Sequence, residues 1–192
     1  MKKITVLCAA IACLSAAPAS AATPYVSGSV GLGIMGSSDL TVAGSTSQQE
    51  YKTGVPFSGA VGLKSGDVRC ELAVGHQKND VDGVLGGDVS VLSIMANAYY
   101  DINLKGSSFS PYVMAGLGDA KVKFNDYAGE PFDKSGFAWQ IGTGVGLKAS
   151  EKVTIDLGYR YFKSSKVKEN PDDGDNCTIS SSNILLGLRY GF

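Results

Sequence analysis

The 192-residue chain contains one histidine, His76, and one tryptophan, Trp139. A solitary histidine rules out histidine-rich metal centres and leaves any hydrolytic dyad a single base. Its neighbours, Gln77 and Lys78, include no serine nucleophile, and no serine-centred motif stands out elsewhere. Without an orienting partner in reach, His76 reads as an ordinary residue at the outer end of a strand, and no catalytic set is expected. No apolar run approaches the roughly 18 residues of a spanning helix. Basic charge is not in excess either: 17 Lys and Arg face 18 Asp and Glu. Nucleic-acid backbones demand clustered positive charge, so they are excluded as partners. Cysteine is scarce. Of four, Cys8 and Cys13 lie in the N-terminal stretch, leaving Cys70 and Cys177. No disulfide framework follows from two cysteines expected toward opposite ends of the fold, because a disulfide needs Cα atoms within about 7 Å. Both are expected as free thiols, Cys70 packing as a small hydrophobe, with an intermolecular link through Cys177 as the alternative.

The first residues have the build of an export signal. Lys2 and Lys3 precede an apolar core from Ile4 to Leu14, and Ala19-Ser20-Ala21 is a small-x-small cleavage site. Residues 1–21 are therefore expected to be a cleaved secretory signal peptide, and 22–192 the mature domain. The apolar core is too short for a membrane anchor, and Ala10-Ile11-Ala12-Cys13 is a poor lipoprotein signal. Loss of Lys2 and Lys3 leaves 15 basic against 18 acidic side chains, a formal charge of −3.

The remainder is rich in glycine, 25 residues, and 44% apolar, with a repeated period of two. The last stretch shows it best. Ile184, Leu186, Leu188, Tyr190 and Phe192 alternate with Asn183, Leu185, Gly187, Arg189 and Gly191. Such alternation is a strand with one wide apolar face. Similar strands are expected at about Tyr25 to Met35, Val55 to Lys64, Val68 to Gln77, Val89 to Ile102, Phe109 to Gly118, Gly136 to Lys148 and Val153 to Phe162. Lys121 to Phe124 is a candidate extension of the fifth. Pro56 donates no ladder bond and belongs near a strand start. The connections alternate long and short. The long ones are 36–54, 78–88, 119–135 and 163–181, and the short ones Ser65-Gly66-Asp67, Asn103 to Ser108 and Ala149 to Lys152.

Eight strands of about ten residues, joined alternately by tight turns and long loops, define an all-β fold: an eight-stranded antiparallel up-and-down transmembrane β-barrel. Closure removes the edges that lipid could not satisfy. A soluble lipocalin-type barrel would need the opposite polarity. Here the inward set is Gly, Ser and Ala with Arg69, Glu71, Asp101, Asp156, Arg160 and Arg189. The outward set carries aromatics near strand ends: Phe57, Tyr100, Phe137, Trp139, Tyr159, Tyr161, Tyr190 and Phe192. The six inward charges, three of each sign, are expected to form a polar interior core, since an unpaired charge in a narrow barrel is costly. The alternative is a small ion or solute conduit, which the abundant interior glycines keep open. A lipid-modifying barrel enzyme built on His76 is a weaker alternative. Asp172, Asp173, Asp175 and Asn176 around Gly174 lack the spacing and distal Glu of a calcium loop, so no metal or cofactor is expected.

Ala96-Asn97-Ala98-Tyr99-Tyr100-Asp101, then Pro111-Tyr112-Val113-Met114-Ala115-Gly116-Leu117-Gly118, resembles the opacity-type, surface-antigen family of eight-stranded outer-membrane proteins with an OmpA-like barrel. Gly142-Thr143-Gly144-Val145-Gly146, Leu157-Gly158-Tyr159-Arg160-Tyr161 and the terminal Arg189-Tyr190-Gly191-Phe192 are similar to its later strands. The ending also resembles the assembly signal of bacterial outer-membrane barrels, with Gly187, Tyr190 and Phe192 at its spacing and Leu185 where a polar residue is usual. The resemblance implies a monomer in the Gram-negative outer membrane, with outer-membrane lipids and the barrel assembly machinery as partners. It also implies a surface-antigen or envelope role, with the long loops as the candidate contact surface for an external ligand.

Overall fold

The computed structural model describes residues 22–36, 38–42, 45–49, 52–80, 88–125, 132–164, 167–168, 176–177 and 179–192. The expected leader, residues 1–21, and Asp172, Asp173 and Asp175 lie outside the described residues.

Eight strands close a barrel: Thr23–Met35, Val55–Ser65, Val68–Asp80, Asp88–Asp101, Phe109–Asn125, Phe132–Lys148, Val153–Ser164 and Ser180–Gly191. Each is antiparallel to the next. The eighth returns to the first in a register running from Tyr25↔Gly191 to Met35↔Ser181. The ladder is therefore continuous around the wall, and no edge is left for lipid to meet. Pro56 interrupts the pairing of the first two strands after Val30↔Phe57. It resumes at Gly33↔Gly54 with reciprocal N–H···O bonds of 2.9 and 2.8 Å, so the missing donor costs one rung and not the register. The tight turn between Ser65 and Val68 places Gly66 at φ 58°, a conformation glycine adopts without a Cβ penalty.

Several strand ends differ from the sequence expectation. The third strand continues to Asp80, and the fifth and sixth pair onward through Lys121↔Ser135 to Phe124↔Phe132. The expected loops 78–88 and 119–135 thus begin and end as strand. Ladder hydrogen bonds continue here although apolar alternation stops: outward positions become Lys78, Lys121 and Lys123, side chains suited to water. At 17 residues each, the fifth and sixth strands exceed the roughly 9–11 that a tilted strand needs to cross hydrocarbon. The expected loop 36–54 contains a small hairpin, Ser38–Val42 against Ser45–Gln49. Within 163–181, Val167–Lys168 pairs with Asn176–Cys177.

The polarity is that of a lipid-facing wall. Outward Ile34, Val61 and Ile184 are 59–60% exposed, whereas inward Arg69 and Asp101 are each 2% exposed. A water-soluble sheet would bury the first set; lipid solvates it. The soluble-barrel alternative is thereby excluded. Cys70 faces outward, half-buried and outside any disulfide, on the strand that begins beside the Gly66 turn. The Cys177 side chain lies outside the described residues.

Candidate functional site

The lumen is built in levels from the inward positions of all eight strands. At the short-turn end, Asp101 closes the fourth strand and faces Arg69, the second residue of the third. Arg69 Nε donates to Asp101 Oδ1 and Oδ2 at 2.9 and 3.0 Å, and Nη2 lies 2.8 Å from Oδ1. Lys64 Nζ donates to Oδ2 at 2.7 Å, and Arg189 Nη1 stands 3.9 Å from it. Arg189 Nη2 donates to Asp156 Oδ1 at 3.2 Å. Glu71 accepts from Tyr25 Oη at 3.0 Å and Ser27 Oγ at 3.2 Å, with Arg69 Nη1 at 4.0 Å. The Arg69 guanidinium lies 4.2 Å from the centre of the Tyr99 ring and 5.2 Å from that of Tyr112. Those two rings meet edge to face at 5.7 Å. Arg69 is thus held by carboxylates and by aromatic faces, the arrangement that offsets its desolvation.

Beneath this layer a vestibule of about 310 Å³ opens at the short-turn end, lined by Lys64, Asp101, Lys148, Glu151 and Lys152 among others. Above it lie two small cavities. One, of about 50 Å³, is lined by Ser27, Ser29, Ser58, Glu71, Tyr112, Asp156 and Arg160. The other, of about 40 Å³, is lined by Ser58, Gln77, Ser93, Gln140, Arg160, Asn183 and Leu185, with apolar neighbours. Buried amides and a hydroxyl link the wall at this height. Gln77 Nε2 donates to Asn79 Oδ1 at 2.8 Å and to Ser181 Oγ at 2.9 Å, and Gln140 Nε2 to Asn97 Oδ1 at 2.6 Å. At the long-connection end Met35, Val89, Val91, Met95, Val122 and Phe162 pack with Ala120, Ala138 and Ile179, and the buried Asn79, Ser164 and Ser181 lie at the same height.

Five of the six expected core charges therefore meet: Arg69, Glu71, Asp101, Asp156 and Arg189. Arg160 stands apart. Its backbone lies four residues along the strand from Asp156, about 13 Å at the rise of an extended chain, while its side chain lines a cavity together with Glu71 and Asp156. Among the described residues Arg160 has neither a hydrogen bond nor an ion pair. Two groups were not foreseen. Lys64 joins the charge core through Asp101, and Tyr25, Tyr99 and Tyr112 line what a polar-interior reading left to small residues. The expectation that interior glycines leave space is also corrected. A Cβ on Gly144 or Gly158 would collide with the Tyr112 hydroxyl, and one on Gly62 with the Tyr25 ring. These glycines make room for the rings that fill the lumen.

On the outer wall, Ser90 comes from the neighbouring strand to His76, where the sequence showed no serine nearby. Ser90 Oγ and His76 Nε2 are 2.9 Å apart, and Phe57 lies 5.1 Å from the imidazole. Among the described residues His76 Nδ1 is buried without a hydrogen-bond partner, so no carboxylate orients the ring as a triad requires. The aromatics fall toward both rims, with Trp139 against Tyr161 at 5.7 Å and Tyr190 against Phe192 at 5.5 Å. Gly187 faces inward beside Gly28 and Ser29, while Tyr190 and Phe192 face outward. The Phe192 amide donates to the Pro24 carbonyl at 3.1 Å.

A closed eight-stranded antiparallel wall, apolar outside and polar inside, defines a transmembrane β-barrel of the bacterial outer membrane. The chain belongs to the outer membrane protein beta-barrel domain family, whose model matches residues 4–192. It is 30% identical to the outer membrane protein PagN of Salmonella typhimurium over 122 residues, 54% of this chain and 51% of that one. To the virulence membrane protein PagC of the same organism it is 32% identical over 112 residues, covering 54% and 52% of the two chains. The matches thus span about half the length of these relatives. Among solved structures, Neisserial surface protein A superposes with a TM-score of 0.64 at 22% identity, over 89% of this chain and 99% of that one. Ail of Yersinia pestis, solved with the heparin analogue sucrose octasulfate, gives a TM-score of 0.50 at 20% identity, covering 88% and 99%. Both likenesses concern the fold.

Proposed function

We propose that this protein is a non-catalytic surface protein of the outer membrane. Its barrel is a sealed scaffold, and its long connections make the external contacts. The observation that carries this reading is the closure of the lumen at two heights. The Arg69–Asp101–Arg189 layer with its tyrosines blocks one end, and the apolar cluster around Met35, Val89, Met95 and Phe162 blocks the other. The cavities between them, about 50 and 40 Å³, hold a few waters at roughly 30 Å³ each. An enzyme is disfavoured on the outer wall, because His76 lacks an orienting partner. The surrounding strand amides are also committed to the ladder, which leaves no donors for an oxyanion.

The contact surface on this reading is the rim carrying the Ser38–Val42/Ser45–Gln49 hairpin and the projecting fifth and sixth strands. A polyanionic ligand of the kind bound by Ail is one chemical class to test. Deleting residues 38–49 or 126–131 is expected to abolish attachment of bacteria to immobilised sulfated polysaccharide or host cells. The gel shift between unheated and boiled protein should persist. Undiminished attachment by both deletion strains would exclude these connections as the contact surface.

On the same reading the leader 1–21 directs export, and Gly187, Tyr190 and Phe192 serve assembly. Phe192→Ala is expected to lower the amount of protein in outer-membrane fractions several-fold while leaving in vitro refolding into detergent unchanged. Equal loss in both assays would make Phe192 a stability residue and remove its assembly role.

A further inference from the structure

Arg160 is the one core arginine without an ion pair to an interior carboxylate among the described residues, although it shares a cavity lining with Glu71 and Asp156. Asp101 is met by Lys64, Arg69 and Arg189, Glu71 by Arg69 and two hydroxyls, and Asp156 by Arg189. Arg160 projects from the seventh strand between the two lumen cavities, half-buried, with Gly142 and Asn183 as its cross-strand neighbours. A cation enclosed in a membrane-embedded barrel is costly unless water or a counter-charge meets it.

The two cavities differ in what they offer. The one nearer the short turns contains Glu71 and Asp156, which repel an anion. The other has no acidic residue in its lining. Around Arg160 stand Ser58, Ser93, Gln140 and Asn183, with His76 also in the lining, while Gln77 lines it with both amide hydrogens already given to Asn79 and Ser181. Its volume of about 40 Å³ admits a halide ion with little else, since one water already takes roughly 30 Å³ of liquid.

We infer that this upper cavity is a binding site for one monovalent inorganic anion of halide size, paired with the Arg160 guanidinium and solvated by neutral donors. The ion supplies the charge that the protein interior omits at this height and makes the anion part of the folded barrel. Anything that binds the folded state and not the unfolded one raises the unfolding midpoint with its concentration.

The test is refolding of the full mature chain into detergent in sodium chloride, sodium bromide or sodium gluconate at one ionic strength. The heat midpoint of the folded gel band is then read in each salt. The wild type is expected to melt several degrees higher in chloride and bromide than in gluconate, with a saturable dependence on halide. Arg160→Gln is expected to melt at one temperature in all three salts. Equal midpoints for the wild type, meaning water alone solvates Arg160, would overturn the inference, as would a halide effect that survives in Arg160→Gln. Should that variant not fold, crystals of the wild type grown in bromide decide the matter: an anomalous peak beside Arg160 supports the site, and its absence refutes it.

Discussion

Replacing Asp101 by alanine is expected to destabilise the barrel by about 3–5 kcal/mol, the cost of removing one partner from a buried ion pair. The reason is the number of cations that depend on this carboxylate. Arg69, itself 2% exposed, loses three short contacts to oxygen and keeps only Glu71 at 4.0 Å and the Tyr99 and Tyr112 rings. Lys64 loses its 2.7 Å partner, and Arg189 is left with Asp156. For a chain of this size that cost lowers the unfolding midpoint by on the order of 10 °C. The heat-dependent shift in gel mobility measures it directly. Asp101→Asn keeps a hydrogen-bond acceptor but not the charge, so its midpoint should fall between the two. A midpoint within a degree or two of wild type for Asp101→Ala would mean that water replaces the carboxylate at little cost. The ionic layer would then not be what holds this end together.

The second large effect is expected on the outer wall. Leu186 sits midway along the eighth strand, 56% exposed, opposite Val30 on one side and Leu157 on the other. If lipid surrounds it, Leu186→Arg costs about 2–4 kcal/mol, the price of an arginine near the bilayer midplane. Tyr190→Arg, four residues nearer the rim, should cost only about 0–1 kcal/mol. The pair is informative because both residues face outward, Leu186 56% and Tyr190 38% exposed in the isolated chain. Water would treat the two substitutions alike, and only a membrane makes the cost depend on depth. Refolding into phospholipid vesicles followed by equilibrium unfolding in guanidinium gives both values.

Strand number, order and facing were legible in the sequence because each depends on a local period of two. Ile184 to Phe192 and Phe137 to Leu147 show the outward stripe plainly, and the inward positions of Arg69, Glu71 and Asp101 follow from the same parity. What meets what across the lumen was not legible. Tyr25 and Glu71 are 46 residues apart in sequence, and Arg69 and Asp101 are 32 apart. Which inward residues share a height depends on the stagger between strands, a property of closure and not of any one segment. For that reason the sequence grouped Arg160 with the other five charges without showing that it shares their cavity but not their ion pairs. The same limit hid Ser90 beside His76 and the tyrosines that occupy the space over Gly62, Gly144 and Gly158. The strand ends were missed for a different reason. Above the lipid the outward side chains turn polar, and the signal that marks a strand fades although its hydrogen bonds continue.

The central claim is that the barrel is a sealed scaffold, and single-channel recording tests it most directly. Folded, unheated protein inserted into a planar phospholipid bilayer is predicted to give no discrete conductance steps in chloride salts at either polarity, because the ionic layer and the apolar cluster each close the lumen. Reproducible steps from wild-type protein, altered in size or ion selectivity by Arg160→Glu, would contradict the account and establish a pore.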